Sequence, residues 1–217
     1  MAKNKVKFGL KNVHYVPIIV GEDNSITYGT PVPIPGAVSL TLDIQGEEVE
    51  FEADDVIYYS SYTSTGYKGT LEVALIPDSF RKEILGDVED ETDHVIVEYS
   101  NVEAKPFGLL YEINGDQKAS RRLLNYCTVS RPGETANTSG KTRTPQTDSM
   151  SLTAAPLADG RIRARTTEST PDTVYNNWYK QLWEPNSANP AALSVAAASN
   201  ANLERAAASQ GVETMEV

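Results

Sequence analysis

Gly66-Tyr67-Lys68-Gly69-Thr70-Leu71-Glu72-Val73-Ala74-Leu75-Ile76-Pro77-Asp78-Ser79-Phe80-Arg81-Lys82-Glu83-Ile84-Leu85-Gly86 decides the fold class. From Thr70 to Ile76, Leu71, Val73 and Leu75 share one face while Thr70, Glu72 and Ala74 share the other, the pattern of a strand with one buried face. Pro77 lacks a ladder donor and ends the strand. Asp78 is placed to cap a short helix, Phe80 and Ile84 stand one turn apart, and Gly86 is the expected stop. Nothing in the stretch has the look of catalytic machinery. It predicts a sheet with a helix folded over its edge or end.

Outward from this stretch the chain continues as strands. Val38, Leu40, Leu42 and Ile44 alternate with Ser39, Thr41 and Asp43. Gln45-Gly46-Glu47 reads as a turn, and Val49 and Phe51 then alternate with Glu48, Glu50 and Glu52 in a second strand with an acidic outer face. Val56 to Tyr67 is β-prone without a clean buried face and reads as a partly exposed strand and loop. Asn12 to Val20 reads as a strand that Pro17 pushes to an edge, and prolines 31, 33 and 35 hold a stiff extended path after it.

Downstream, Asp87 to Asp93 reads as an acidic loop, and His94 to Tyr99 as a strand. Phe107, Leu109, Tyr111 and Ile113 lie on one face of the next strand, Asn114-Gly115 signals a hairpin, and the return runs from Ala119 to Ser130. Residues 131–146 form a long loop, and Met150, Leu152 and Ala154 mark another strand. Arg161, Arg163 and Arg165 share a face after the Ala158-Asp159-Gly160 turn. Thr170-Pro171-Asp172 opens a helix that carries Val174, Trp178 and Leu182 and stops at Pro185. The sum is about eight or nine strands and two short helices. It predicts a mainly antiparallel β-sandwich or barrel with a flanking helix, spanning residues 12–185. Residues 1–11 are expected to be a mobile arm, and residues 186–217, rich in Ala, Ser and Asn, a flexible tail.

Composition narrows the function. The chain has 217 residues and a formal net charge of −11, which argues against a protein that grips nucleic acid through phosphates. Its single cysteine, Cys127, excludes an internal disulfide and sits in an apolar strand pattern. No apolar segment follows the basic N-terminus and no run reaches membrane-span length, so a soluble protein made in a cytoplasm is expected.

The chemical motifs fail one by one. Gly133 to Thr142 places six residues between its glycines where a phosphate loop needs four, and Arg143-Thr144-Pro145 follows where a helix should start. Asp87 to Asp93 lacks the glycine and the closing glutamate of a calcium loop. His14, His94 and Cys127 have no ligand or triad spacing. No enzyme activity, metal or cofactor is expected.

Two features remain. Glu48, Glu50 and Glu52 on one strand and Arg161, Arg163 and Arg165 on another are either two solvated faces or the two sides of a subunit boundary in a homo-oligomer. Tyr58, Tyr59, Tyr62 and Tyr67 are either ordinary β-rich packing or contact residues on an exposed strand or loop.

The order of these elements resembles the major tail protein family of long-tailed, non-contractile phages. The resemblance rests on Tyr28-Gly29-Thr30-Pro31-Val32-Pro33, Pro35-Gly36-Ala37-Val38-Ser39-Leu40, Ala53-Asp54-Asp55, Gly66-Tyr67-Lys68-Gly69-Thr70-Leu71-Glu72, Ile76-Pro77-Asp78 and Ile84-Leu85-Gly86. Phe107-Gly108-Leu109-Leu110-Tyr111-Glu112, Arg131-Pro132 and Lys141-Thr142 fit the same pattern, so that it spans about Phe8 to Arg165. It implies a tail tube subunit in the virion, assembled in the host cytoplasm as stacked hexameric rings, with a fold shared by type VI secretion tubes. The implied partners are further copies of the chain, a tape-measure protein in the lumen, the tail terminator, and distal tail or baseplate proteins. Double-stranded DNA would pass through without specific binding, and a negative lumen would repel its phosphates. The family has no catalytic residues to transfer. A glycan- or protein-binding β-sandwich of the adhesin type is the alternative from a different class.

Overall fold

A computed structural model describes residues 4–22, 25–138 and 145–185. Residues 1–157 and 161–183 form one compact unit; of the second, 158–160 and 184–217, residues 158–160, 184 and 185 are described. The resemblance-bearing Lys141-Thr142 and the expected tail from residue 186 lie outside the described residues.

The first unit is mainly antiparallel β-structure. Its strands are β1 (Lys7–Val20), β2 (Ile26–Tyr28), β3 (Val32–Pro33), β4 (Ala37–Ala53), β5 (Val56–Val73), β6 (Val88–Glu89), β7 (Ile96–Val97), β8 (Phe107–Gly115), β9 (Ser120–Val129), β10 (Asp148–Ala154) and β11 (Arg163–Arg165). Nine of them join in one sheet in the order β2-β1-β8-β9-β10-β5-β4, with β3 on β1 and β11 on β9, while β6 and β7 form a separate ribbon. The sheet curls: β3 pairs with β1, the chain then turns at Gly36 into β4, and β1 and β4 touch.

The curl encloses the main core. Val13 and Tyr15 of β1, Leu71 and Val73 of β5, Leu109 and Tyr111 of β8, and Met150, Leu152 and Ala154 of β10 point into it. The flanking helix predicted from the opening stretch covers it, burying Phe80, Ile84 and Leu85 and leaving Lys82 and Glu83 exposed. It comprises α1 (Asp78–Phe80) and a π-helical turn, Arg81–Leu85. Phe80 makes edge-on contacts with Tyr15 and Phe107 at centroid distances of 5.1 and 5.4 Å. Tyr15 is fully buried and donates its hydroxyl hydrogen bond to Glu83 at 2.9 Å. Burial pushes its phenol up to about 12, with the Glu83 carboxylate adding to the rise.

The helix ends as expected at Gly86, in the left-handed region at φ 77°. It starts differently: Pro77 is the N-cap residue and Asp78 makes no capping hydrogen bond. The strand also stops earlier than its alternation predicted. Leu71 and Val73 are buried, but the chain bends after Val73, which exposes Leu75 and turns Ile76 inward beneath the helix. The Ile76 N–H is met by Asp148 Oδ2 at 3.0 Å, so the bend leaves no orphan donor there.

A second, smaller core lies on the opposite face of β1, β8 and β9, where Val16, Leu110 and Leu123 meet Trp178 and Leu182. That is why β8, expected to bury one face, buries both. The covering helix α2 (Asp172–Asn177) is shorter than the expected run to Trp183, and Pro171 rather than Thr170 is its N-cap residue. Arg121 fastens it. The guanidinium sits 3.8 Å from the Tyr175 ring centre, donates to the Tyr175 carbonyl, and pairs with the buried Glu112 at 3.0 Å.

Four further expectations give way. Residues 7–11 belong to β1 rather than to an arm, and the Asn4 side chain is bonded to the backbone of Gln117 and Lys118 in the β8–β9 turn. Asn114-Gly115 is not that turn; Gly115 pairs with Lys7 and the loop follows it. Pro17 lies inside β1 rather than on an edge, with its carbonyl accepting from Gly29 N–H at 2.9 Å. Asp87 to Tyr99 is not simply an acidic loop followed by a strand, since it includes the β6–β7 ribbon.

Gly69 tests the sheet directly. A Cβ there would lie 1.9 Å from the Thr41 carbonyl oxygen, inside the β4–β5 pairing. Gly69→Ala is expected to cost about 2 kcal/mol, the order of other overpacking changes, read as a lower urea midpoint at unchanged slope.

Candidate assembly interface

The register of β4 against β5 builds the feature with the least account within a single chain. The two strands pair without a turn from Ala37↔Val73 to Ala53↔Val56. The expected turn at Gln45-Gly46-Glu47 is absent and is instead a register shift, with Gly46 opposite Ser64. Gly46 is needed for another reason: a Cβ there would lie 2.4 Å from the Thr63 carbonyl oxygen and 2.6 Å from the tip of the Tyr62 ring across the strand pair. The reversal comes at Asp54 and Asp55, both in the left-handed region at φ 52° and 60°. Beyond Gly66 the pair leaves β10, whose register with β5 ends at Ala154↔Tyr67. About eight residue pairs therefore project as a two-stranded arm, roughly 25 Å long at the usual rise.

The arm is amphipathic. Glu48↔Tyr62, Glu50↔Ser60 and Glu52↔Ile57 occupy one face. Val49↔Ser61, Phe51↔Tyr59 and Ala53↔Val56 occupy the other, and Tyr58 is the extra residue at a second register shift. No residue from 46 to 65 is buried. Phe51 is 59% exposed and Tyr58 74%. The alternation of Val49 and Phe51 thus separates two faces as expected, but no core receives the apolar one. The outer edge of β4 is unpaired among the described residues. A long unpaired edge beside an apolar face is a template for another chain.

The structure divides the predicted site residues. Tyr58, Tyr59 and Tyr62 are on the arm; Tyr67 is at its base, half-buried against the main core, with the Arg163 guanidinium 4.9 Å from its ring centre. Arg163 and Arg165 are exposed on β11, whereas Arg161 precedes the strand and its carbonyl accepts from Leu157 N–H. Glu48, Glu50 and Glu52 form no ion pair with these arginines among the described residues. Sequence reasoning missed a group that the topology brings beside Arg165: Lys5, Lys7, Lys118 and Arg122 line a cleft with it. The alternation of Lys5 and Lys7 with Val6 and Phe8 was the available signal.

The chemical candidates lie apart. His14 packs on the Tyr179 ring at 4.6 Å, and burial raises the Tyr179 phenol above its usual range. His94 bonds Glu89 at the surface, 3.1 Å away. Cys127 is fully buried, and its thiol is pushed well up by that burial. In the acidic segment, Asp87 pairs with Arg131, Glu89 with Lys82, and Asp90 accepts from the N–H groups of Thr92 and Asp93. Among the described residues, no three His, Cys, Asp or Glu side chains are grouped to hold a metal, and no helix is long and apolar enough to cross a membrane.

No protein-family model matches the chain, and no curated protein matches it in sequence. Among solved structures it is similar to the cryo-EM structure of an anti-feeding prophage cap, the AFP tube terminating cap. The identity is 8%, the TM-score is 0.44, and the match covers 75% of this chain and 93% of that one.

Proposed function

We propose that this chain is a self-assembling structural subunit, the tail tube protein of a long non-contractile phage tail. The observation that carries the reading is the β4–β5 arm. Val49, Phe51, Val56 and Tyr59 face solvent on a ribbon with no third layer behind it among the described residues. A two-stranded ribbon is marginal by itself, and an apolar face of this kind is stabilised when another chain covers it. The ordered motifs that resemble the major tail protein family support the specific role. In that role hexameric rings stack into a virion tube around a tape-measure protein. The tail terminator and distal tail proteins close its ends, and the net charge of −11 disfavours retention of passing DNA.

The test is electron microscopy of the purified full chain together with its sedimentation. Rings or tubes with a central hole are expected. A monomer that persists at high concentration and binds glycans would overturn the reading in favour of the adhesin alternative.

A further inference from the structure

We propose that the acidic arm of one copy docks on the basic cleft beside the start of β1 in the next copy; this rests on the assembly reading above. The cleft, of about 350 Å³, lies between the residues leading into β1, the β8–β9 turn and the segment after β11. Lys5, Lys7, Lys118, Arg122 and Arg165 line it, with Glu168 as the acidic lining residue. Lys118 is engaged by Asp172 at 3.5 Å, and Asp116 at the turn accepts from the Lys5 backbone N–H at 2.9 Å. Lys5, Lys7, Arg122 and Arg165 form no ion pair among the described residues. The Nε of Arg122 is buried without a hydrogen-bond partner.

An acidic chain thus keeps a cluster of cations, four of which form no ion pair among the described residues. The same chain keeps the complementary anionic one. Glu47, Glu48, Glu50, Glu52, Asp54 and Asp55 stand on the arm, and none is in an ion pair among the described residues.

Val6 and Phe8, 51% and 64% exposed, alternate with Lys5 and Lys7 at the start of β1, as Val49 and Phe51 alternate with the arm glutamates. On the cleft side Val6 lines the pocket together with Lys5 and Lys7, so apolar and cationic groups lie side by side there. Such a contact is heterologous: arm to cleft, with the cleft of the first copy and the arm of the second still open. Repeated contacts of this kind close a ring or extend a filament. The charges set register and encounter rate, and the arm's apolar face, on its other side, is left for a further copy. A second copy is favoured over nucleic acid because the net charge of −11 opposes a polyanion, whereas the arm offers its carboxylates beside an apolar face.

The experiment compares three full-length variants with the wild type by sedimentation velocity, with circular dichroism and melting as the check on folding. Glu48→Lys/Glu50→Lys/Glu52→Lys reverses the arm, Lys7→Glu/Arg165→Glu reverses the cleft, and the third variant carries all five changes. Each reversal alone is expected to weaken assembly by at least roughly tenfold, as like charges then face each other. The five-fold variant should restore it to within about threefold, because the signs are again complementary. Raising the salt should weaken the wild-type assembly. A wild type that never assembles overturns the assembly reading and this contact with it. A wild type that assembles, with both reversals assembling equally well, overturns the contact alone. So do folded single-side reversals that the five-fold variant fails to rescue.

Discussion

A chain in which residues 46–65 are replaced by a two-residue Asn-Gly turn is expected to fold as well as the full chain and to form no rings or tubes. Gln45 and Gly66 are directly paired, so a two-residue connection between them continues the native register. Everything removed is outside the core. No residue of the segment is buried, and the core contacts of β4 and β5 come from Leu40, Leu42, Tyr67, Leu71 and Val73, all on the retained side. The change in folding free energy should stay within about 1 kcal/mol, the scale of changes away from buried features, measured by urea denaturation. Assembly should be lost altogether, seen as a single monomer boundary in sedimentation and an absence of rings on the grid. Two results would count against the role given to the arm: a loss of several kcal/mol, which would make it part of the folding unit, or tubes that persist without it.

The prediction also locates where the sequence was readable. Alternation was a sound guide in β8 and β10, whereas in β4 Leu40 and Leu42 pack on the core but Val38 and Ile44 of the same run are exposed. Met150, Leu152 and Ala154 of β10, and Phe107, Leu109 and Tyr111 of β8, are buried as their period-two spacing required. The same signal misled at Val49 and Phe51. Alternation separates two faces and says nothing about what covers either, so a face intended for another chain reads like a face intended for the core. Gly46 misled in the same local way. A glycine between two alternating runs is the signal of a turn, yet this one makes room for the Thr63 carbonyl, a contact set by the partner strand. Leu75 shows the limit of the opening stretch. Its period matches Leu71 and Val73, but the bend after Val73 carries it out and takes Ile76 in. The basic cleft was hidden for a third reason. Lys5, Lys7, Arg122 and Arg165 come together only through the pairing of β1 with β8, β8 with β9, and β9 with β11.

Arg131→Ala is expected to cost about 3 kcal/mol. Arg131 and Asp87 are 44 positions apart, yet the guanidinium meets Asp87 Oδ1 at 2.8 Å. It also donates to the Leu85 carbonyl at 2.8 Å, at the end of the π-helical turn. Three carbonyls of that turn are met. Gly86 and Asp87 N–H reach the Arg81 carbonyl, Lys105 N–H the Ile84 carbonyl, and Arg131 the Leu85 carbonyl. The Asp87 side chain is 2% exposed and that of Arg131 24%, so truncation strands a carboxylate that water barely reaches. At 2–4 °C per kcal/mol for a domain of this size, the melting temperature should fall by roughly 6–12 °C. Arg131→Lys should lie between the wild type and alanine, since an ammonium keeps the charge but cannot fork to a carboxylate and a carbonyl together. The decisive comparison is Asp87→Asn/Arg131→Ala. Removing the stranded charge should recover about 1–2 kcal/mol of the single-mutant loss, if the cost arises from a desolvated carboxylate. If the double variant is instead less stable than Arg131→Ala alone, the loss belongs to the Leu85 carbonyl and the closure of the helix. The buried pair would then be incidental to the anchoring of Phe80 and Ile84 in the core.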